Sequence, residues 1–348
     1  MVRADLPEEL PDDFGVTAAR HAGVTRSRLR ASDLSSPFHG SRSRAAGAEA
    51  PAEDRESVVP IAYPRSTAVR RIHELAAQYV PVMPSDCFFS HITAAVLWGA
   101  PVPDRIFDVA ALARNPPPTY PIFDPEVLHV ARLWPGRAPR GRGVSGHAVR
   151  SGFAHKVTHP ESGLRLASPA STWAMLGRML PHPYDLIAVA DHFVRVHRDP
   201  VTREVVRPGL ATLAQLTAAV EAGRRVGGAA LREALPRVRV GAVSRTETWT
   251  RLTLIDAGLP EPALDFDVYN EYGTFIACVD MAYPALKTAV EYEGAHHASA
   301  GQWESDIDRY AALEAAGWRI VRVTKRMLFV TPRQLVSRVG AVLAERSR

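Results

Sequence analysis

Two strand-like stretches near the carboxyl end of the chain place acidic side chains where they could share a cation. An apolar run ends at Asp280, and a second apolar run carries Glu291 and Glu293. Successive side chains of a strand point to opposite faces, so Glu291 and Glu293 share a face, and a hairpin would bring Asp280 beside them. Two carboxylates on one face of an apolar strand repel each other unless a cation lies between them. The spacing therefore predicts a site for a hard divalent cation, Mg²⁺ or Mn²⁺.

Two adjacent histidines, His296 and His297, follow this acidic pair almost at once. A histidine beside a metal-bound water could move a proton during hydrolysis. An exposed hairpin edge would give the same glutamate spacing with no cation bound, and this alternative stays open.

The helices and strands that would position these acidic residues are predicted to form one domain at residues 236–348. Ser244 and Glu247 match the S-x-x-E capping box, so Glu247 has a structural role available as a helix cap. The predicted order of helix, three strands, helix, strand and helix indicates an α/β domain with a small mixed sheet. The elements are a helix from Ser244 to Gly258, a hairpin at 266–280 turning at 270–273, a strand at 287–293, a helix at 302–316, a strand at 318–323 and a helix at 331–344.

This last domain resembles the PD-(D/E)XK nuclease core, and more closely the very-short-patch-repair-endonuclease-like domains catalogued as domain of unknown function 559. The matching residues are Glu247, Val279-Asp280, the V-E-x-E-G at 290–294, His297, Asp306 with Arg309, and the G-W-R-I-V-R-V at 317–323. The resemblance implies that Asp280 and Glu291 bind Mg²⁺, that Glu247 assists, and that a metal-activated water attacks a phosphodiester. Arg309 or Arg322 could hold the flanking phosphates, although Arg322 could also be a solvated charge at a strand edge.

One position departs from the family pattern. The family usually has lysine two residues after the second acid, where this chain has Glu293. Lys287 would share a strand face with Glu291, but four strand residues place it roughly 13 Å away. Either His297 takes the role of the lysine, or Glu293 adds a metal ligand, or the site does not cleave.

Residues 1–45 predict a winged helix-turn-helix-like module. A helix from Val16 would end at Gly23, and Thr25 would cap a second helix over 26–32. That second helix would present Arg26, Arg28 and Arg30 to DNA as a recognition helix does. The residues at 38–40 would open a small wing. The spacing of Gly23-Val24, Leu29-Arg30, Asp33-Leu34 and Gly40 resembles the N-terminal module of AbiEi-type antitoxins.

Between these domains we expect a linker at 46–60 and a mixed α/β region at 61–235. The predicted elements are helices at 90–103, 168–180, 183–195 and 212–235, the last broken at Gly227-Gly228, with strands at 107–109, 127–130, 147–150 and 163–168. The basic loop 136–143 could contact phosphate. The motifs S-H-x-T-A-A at 90–95, Gly146-His147, S-P-x-x-T-W at 168–173 and D-L-I-A-V-x-D at 185–191 resemble AbiEi-like proteins, which supports this domain order.

The length and composition limit the classes of protein to which the chain could belong. The chain has 348 residues, enough for two or three domains, with 46% hydrophobic and 23% charged residues. Its two cysteines, Cys87 and Cys278, are too few for a disulfide framework, and the acidic start is not typical of a signal peptide. We therefore expect a cytoplasmic protein with no membrane partner. The net charge of +5 permits a polyanionic partner.

These features together predict a metal-dependent DNA endonuclease whose N-terminal and middle regions position DNA. The alternative is a non-catalytic, antitoxin-like DNA-binding transcriptional regulator with a degenerate nuclease domain. A nuclease or toxin acting on RNA is a third hypothesis. The sequence leaves the target, the choice between DNA and RNA, and the oligomeric state open.

Overall fold

The computed structural model describes residues 5–44, 66–114, 116, 118–293 and 300–348, with backbone alone for 300–306. The described chain is an α/β protein with several small sheets. Its contacts define two compact units, one of Met1–Pro181 with Glu221–Gly227 and one of His182–Val220 with Gly228–Arg348. The second unit thus starts well before residue 236. The predicted linker at 46–60 lies outside the described residues.

The first unit begins with a small antiparallel sheet. Its elements are β1 (Asp13–Gly15), α1 (Val16–His21), β2 (Leu34–Ser35) and β3 (Ser41–Arg44), in the strand order β1-β3-β2. The predicted first helix is confirmed, and Gly23 follows it with a φ of 84°. The predicted second helix is wrong, because Arg28–Arg30 forms only a 3₁₀ turn. Leu29 is the one buried residue between Thr25 and Ser32, so no apolar stripe holds a longer helix there.

A five-stranded sheet forms the rest of the first unit. Its elements are α2 (Thr67–Tyr79), β4 (Cys87–Phe89), α3 (His91–Leu97), β5 (Leu128–Leu133), β6 (Val144–Val149), β7 (Lys156–Thr158), β8 (Arg165–Ala167) and α4 (Pro169–Met175), with strand order β6-β5-β4-β8-β7. Strand β5 runs parallel to β6 and antiparallel to β4. The predicted strand at 107–109 is wrong, because 3₁₀ turns occupy Asp104–Phe107 and Val109–Ala113.

The second unit carries the predicted acidic site. Its elements are α5 (Pro183–Val194), β9 (His197–Arg198), β10 (Val205–Arg207), α6 (Leu213–Glu221), α7 (Gly228–Ala234), α8 (Arg245–Asp256), β11 (Ala263–Tyr269), β12 (Phe275–Tyr283), β13 (Thr288–Glu293), α9 (Ala300–Ala315), β14 (Arg319–Thr324), α10 (Lys325–Phe329) and α11 (Pro332–Arg346). The sheet order is β11-β12-β13-β14, with β13 and β14 parallel. This matches the predicted helix and strand order, with α10 added.

The link between β12 and β13 differs from the prediction. The prediction ended this strand at residue 280, but β12 continues past Asp280 to Tyr283, and a short 3₁₀ turn at Pro284–Leu286 follows it. Lys287 ends this turn with a φ of 40°, and its Nζ donates a hydrogen bond of 3.0 Å to the Ala316 carbonyl. The residue is therefore not part of a strand beside Glu291.

Helices pack on both faces of this sheet. Leu254 of α8 and Leu335 of α11 lie in one apolar cluster with Val290. Leu313 of α9 lies in a second cluster with Ala289. Because neighbouring strand residues face opposite sides, Glu291 shares the face of Ala289 and points towards α9.

Among the helices within the described ranges, none is both long enough and apolar enough to cross a membrane.

Candidate functional site

Glu247 is fixed in the first turn of α8 by capping bonds to Ser244, the N-cap, and to Val243, the residue before it. Its backbone N–H donates to Ser244 Oγ at 3.2 Å, while its carboxylate accepts from the Ser244 hydroxyl at 2.8 Å and the Val243 N–H at 2.7 Å. The predicted capping role is therefore confirmed. The side chain is buried, and this burial, together with the charge of Asp280, raises the pKa of Glu247 to about 8.

Two buried acids of α5 orient α8. Asp185 accepts hydrogen bonds from Arg245 Nε at 2.7 Å and Trp249 Nε1 at 2.8 Å. Further along α5, Asp191 accepts from Thr248 Oγ1 at 2.8 Å and Arg251 Nη2 at 2.9 Å. These bonds hold the helix along its length, and they fix where Glu247 lies.

Asp280 lies in the middle of β12. The β12–β13 register pairs Met281 with Val290, so Asp280 and Glu291 each lie next to a residue of that pair. The Tyr292 N–H donates a 3.0 Å hydrogen bond to Asp280 Oδ2. Burial raises the pKa of Asp280 to about 6, and the charge of Glu291 acts in the same direction. The charges of Asp280 and Glu291 therefore act on each other, and their sharing of a cation stays a prediction.

Glu291 is paired with an arginine of α9. The side chain is buried, and Arg309 donates to its two oxygens at 2.7 and 3.1 Å. Tyr310 is the next residue, and burial and the charge of Glu291 raise the pKa of its hydroxyl. The guanidinium therefore balances the Glu291 charge in a bidentate pair.

Glu293 is more exposed and faces a different partner. Its Oε1 lies 3.2 Å from Arg322 Nε, and its side chain is 39% exposed. The guanidinium of Arg322 lies 4.2 Å from the Tyr310 ring centre, and that of Arg309 lies 4.6 Å from it. Two cations thus share one aromatic ring at the edge of the acidic site.

Arginines also neutralise the acids on the neighbouring strand. Arg198 and Arg203 each pair with both Asp265 and Asp267, at 2.8 to 3.1 Å. The Cys278 thiol donates to Asp265 at 2.9 Å, and burial raises its pKa. The charge of Asp265 contributes to the raised pKa of Asp280, so this arginine pair limits the excess negative charge there.

The remaining predicted site residues are either outside the described side chains or in the first unit. His297 lies outside the described residues, and no side chain is described for Asp306. In the first unit, Arg26 and Arg30 are exposed. Arg28 instead forms a bidentate pair with Asp33 at 3.0 and 2.7 Å.

The tightest trio of potential metal ligands in the described part of the chain is a histidine cluster in the first unit. Ligand nitrogens of His91, His129 and His147 all lie within 4.8 Å of one another. No trio of His, Cys, Asp or Glu side chains in the acidic site meets this distance among the residues described. The three predicted carboxylate ligands Asp280, Glu291 and Glu293 therefore do not converge to that spacing.

The histidine cluster is formed by three elements. His129 and His147 lie on the adjacent parallel strands β5 and β6, and His91 opens α3 directly after β4. His129 Nδ1 lies 3.0 Å from His147 Nε2. The rings of His91 and His147 are 3.9 Å apart, and His91 Nδ1 lies 2.9 Å from Ser90 Oγ.

Burial keeps these imidazoles uncharged. It lowers the pKa of His91 to about 3 and that of His129 to about 4, with the neighbouring histidine charges acting in the same direction. The pKa of His147 is also lowered by burial. Sequence reasoning missed this cluster because its members lie far apart in the chain and meet only through the sheet register. The signal that could have found it was a histidine at or beside three predicted element boundaries.

A basic cleft lies in the first unit. It has a volume of about 600 Å³, and Phe38, Tyr79, Arg137, Arg140 and Arg142 contribute to its lining. The loop that carries these arginines packs closely against β6. A methyl group at Gly146 would lie 1.7 Å from the Pro139 carbonyl oxygen, so glycine is required there.

Comparison with known proteins finds two curated relatives, both from Mycobacterium tuberculosis. They are "Uncharacterized protein MT2308" of strain CDC 1551 / Oshkosh and "Uncharacterized protein Rv2248" of strain ATCC 25618 / H37Rv. Each is 32% identical over 180 residues, which is 51% of this chain and 62% of the relative. No family model matches the chain. No solved structure matches it significantly.

Proposed function

We propose that the second unit is a divalent-cation-dependent phosphodiesterase domain that acts on DNA. The observation that carries this proposal is the group of three buried or half-buried acids, Glu247, Asp280 and Glu291, contributed by one helix and two neighbouring strands. The pKa values of Glu247 and Asp280 are raised to about 8 and about 6. Acids whose ionised forms are disfavoured in this way are concentrated at sites where a bound cation or a reaction uses them.

The donor chemistry of the acids fits a hard cation. Asp280 and Glu291 would hold Mg²⁺ or Mn²⁺, which prefers carboxylate oxygen. When bound, the cation would lower the pKa of a water and offset charge on the phosphate. Glu247, whose pKa burial and the charge of Asp280 raise to about 8 in the ion-free protein, would accept or return a proton beside this site. Arg322 lies beside the same edge and could bind a flanking phosphate.

The first unit offers a surface for the nucleic acid itself. Arg137, Arg140 and Arg142 are exposed and have no carboxylate partner among the described residues. Exposed guanidinium groups around a cleft of this kind bind phosphates bidentately. This arrangement supports a polyanionic partner for the chain as a whole.

One observation favours a second function. Arg309 already occupies both oxygens of Glu291, and Glu293 stands where the family pattern has lysine. A site that has lost catalysis could keep such an ion pair, with the arginine taking the place of the metal ion. The second hypothesis is therefore a non-catalytic DNA-binding regulator in which the acidic site is structural.

Plasmid cleavage separates the two functions. The full chain is incubated with supercoiled DNA and Mg²⁺ or Mn²⁺, beside Asp280→Asn and Glu291→Gln. Glu314→Gln, at an exposed position of α9, serves as the control. We expect cutting by the wild type and the control, and a rate loss in both site variants larger than the ~10–100-fold that follows loss of an outer-shell metal partner.

Cutting that survives both site substitutions would overturn the assignment of these residues. No cutting of DNA or RNA with either cation, together with tight sequence-specific duplex binding, would favour the regulator. Cutting of RNA alone would identify a ribonuclease.

A further inference from the structure

We propose that His91, His129 and His147 form a binding site for a divalent transition metal ion, with Zn²⁺ as its representative. This site lies in the first unit and is independent of the acidic site in the second. Its ligands are three nitrogens, whereas the described acids Glu247, Asp280, Glu291 and Glu293 offer oxygen. The two proposals can therefore fail separately.

The spacing of the ring nitrogens suits a tetrahedral ion. Zinc binds imidazole nitrogen at about 2.0–2.1 Å, so two ligands of a tetrahedral site lie about 3.3 to 3.4 Å apart. His129 Nδ1 and His147 Nε2 are 3.0 Å apart, and all three ligand nitrogens lie within 4.8 Å of one another. Small rotations of the imidazoles would bring the three nitrogens to the distances that one ion requires.

The backbone supports a function for His91 beyond packing. Its φ is 51°, a left-handed conformation that residues with a Cβ seldom adopt. This conformation directs the imidazole over His147, with ring centres 3.9 Å apart. The Ser90 hydroxyl, 2.9 Å from His91 Nδ1, can fix the tautomer that leaves Nε2 free to bind. Ser90 would therefore orient His91 by a hydrogen bond without binding the ion itself.

The chemistry of the cluster selects the class of ion. Imidazole suits Zn, Cu, Fe and Ni, whereas Mg²⁺ and Ca²⁺ prefer oxygen ligands. No carboxylate of the described residues joins the three histidines in this cluster, which separates it from a 2-His-1-carboxylate iron site. Three protein ligands leave a fourth position for water or another small ligand.

A simpler arrangement would be a hydrogen-bonded histidine pair in the protein interior, in which one ring N–H is shared between His129 and His147. The two arrangements differ in a measurable way. A hydrogen-bonded pair predicts no metal in the protein and no loss of metal affinity on substitution.

The test measures zinc directly on the full chain. The protein is stripped with a chelator, loaded with ZnCl₂, desalted and analysed for bound zinc, and its affinity is measured by competition with a chromophoric chelator. Variants His91→Ala, His129→Ala and His147→Ala are compared with the wild type. His155→Ala, an exposed histidine in the same unit, is the matched control. A double variant of His296 and His297 accounts for the second histidine-rich segment of the chain.

We expect one zinc per chain in the wild type, in His155→Ala and in the His296/His297 double variant. Each cluster variant should bind zinc at least ~10-fold more weakly than the wild type, because loss of an outer-shell partner alone has an effect of that size. Co²⁺ in place of Zn²⁺ should give the intense visible absorption of a tetrahedral site in the wild type, a readout that does not depend on the folding of any variant.

Two results would overturn the proposal. One is a wild-type protein that retains no zinc and shows no tetrahedral Co²⁺ spectrum. The other is zinc binding that persists in folded cluster variants but disappears in the His296/His297 double variant.

Discussion

Replacing Glu247 with glutamine should make the second unit more stable at neutral pH. Glutamine fits the same capping box, because its carbonyl oxygen can accept from the Val243 N–H and its amide can donate to the Ser244 hydroxyl. The substitution removes the ionisable group and leaves the helix cap in place. The stability difference then reports what the buried carboxyl contributes.

The sign follows from the two pKa values. The ordinary pKa of Glu247 is 4.5, and in the folded protein it is about 8. Below 4.5 both states are protonated and the group has no effect. Between 4.5 and 8 the unfolded chain releases the proton first, so rising pH destabilises the fold by about 1.36 kcal/mol per pH unit. At pH 7 the raised pKa of Glu247 therefore lowers the unfolding free energy by at most about 3 kcal/mol.

The assay is denaturant-dependent hydrogen exchange of peptides from the second unit in a metal-free buffer, which measures the unfolding free energy of that unit. We expect Glu247→Gln to exceed the wild type by about 2–3 kcal/mol at pH 7 and to match it at pH 4. The exposed variant Glu314→Gln should track the wild type at both values. A glutamine variant that is no more stable at pH 7, or that differs equally at pH 4, would refute the reasoning.

Two further predictions concern arginines. A triple variant with alanine at Arg137, Arg140 and Arg142 should bind DNA of any sequence more weakly than the wild type. The slope of log K against log salt concentration should become shallower by about 0.9 for each phosphate that the variant no longer neutralises. An unchanged slope in filter-binding titrations would contradict this prediction. Asp191→Ala should destabilise the second unit by about 3–5 kcal/mol, because it removes the buried carboxylate that pairs with the buried Arg251 and leaves only the longer contact to Glu261 at 3.4 Å. An unfolding free energy from hydrogen exchange within about 1 kcal/mol of the wild type would argue against that role.

Local signals in the sequence were sufficient for much of the second unit. Ser244 and Glu247 specify the start of α8, and Gly258 and Gly317 follow the ends of their helices with φ values of 86° and 82°. Each of these features depends on residues a few positions apart. The hairpin turn at Asn270 is equally local, since the Asn270 N–H and carbonyl bond Thr274 and Gly273.

Features that depend on distant contacts were not predictable in the same way. The partner of Glu291 is Arg309, which only the packing of α9 against the sheet brings near it. The histidine cluster depends on the parallel register of β5 and β6. Helix α2 was also missed, although a local signal for it was present. Its buried residues Ile72, Leu75, Ala76 and Tyr79 have the spacing of a helical apolar stripe.

The interrupted course of the second unit determines how it could be isolated. The chain passes between units after residues 181, 220 and 227, so no single cut separates them. A fragment that starts at residue 236 would lack α5, and with it Asp185 and Asp191, the acids that hold α8. A fragment meant to contain the whole second unit should therefore start at about residue 182, with residues 221–227 replaced by a short neutral linker.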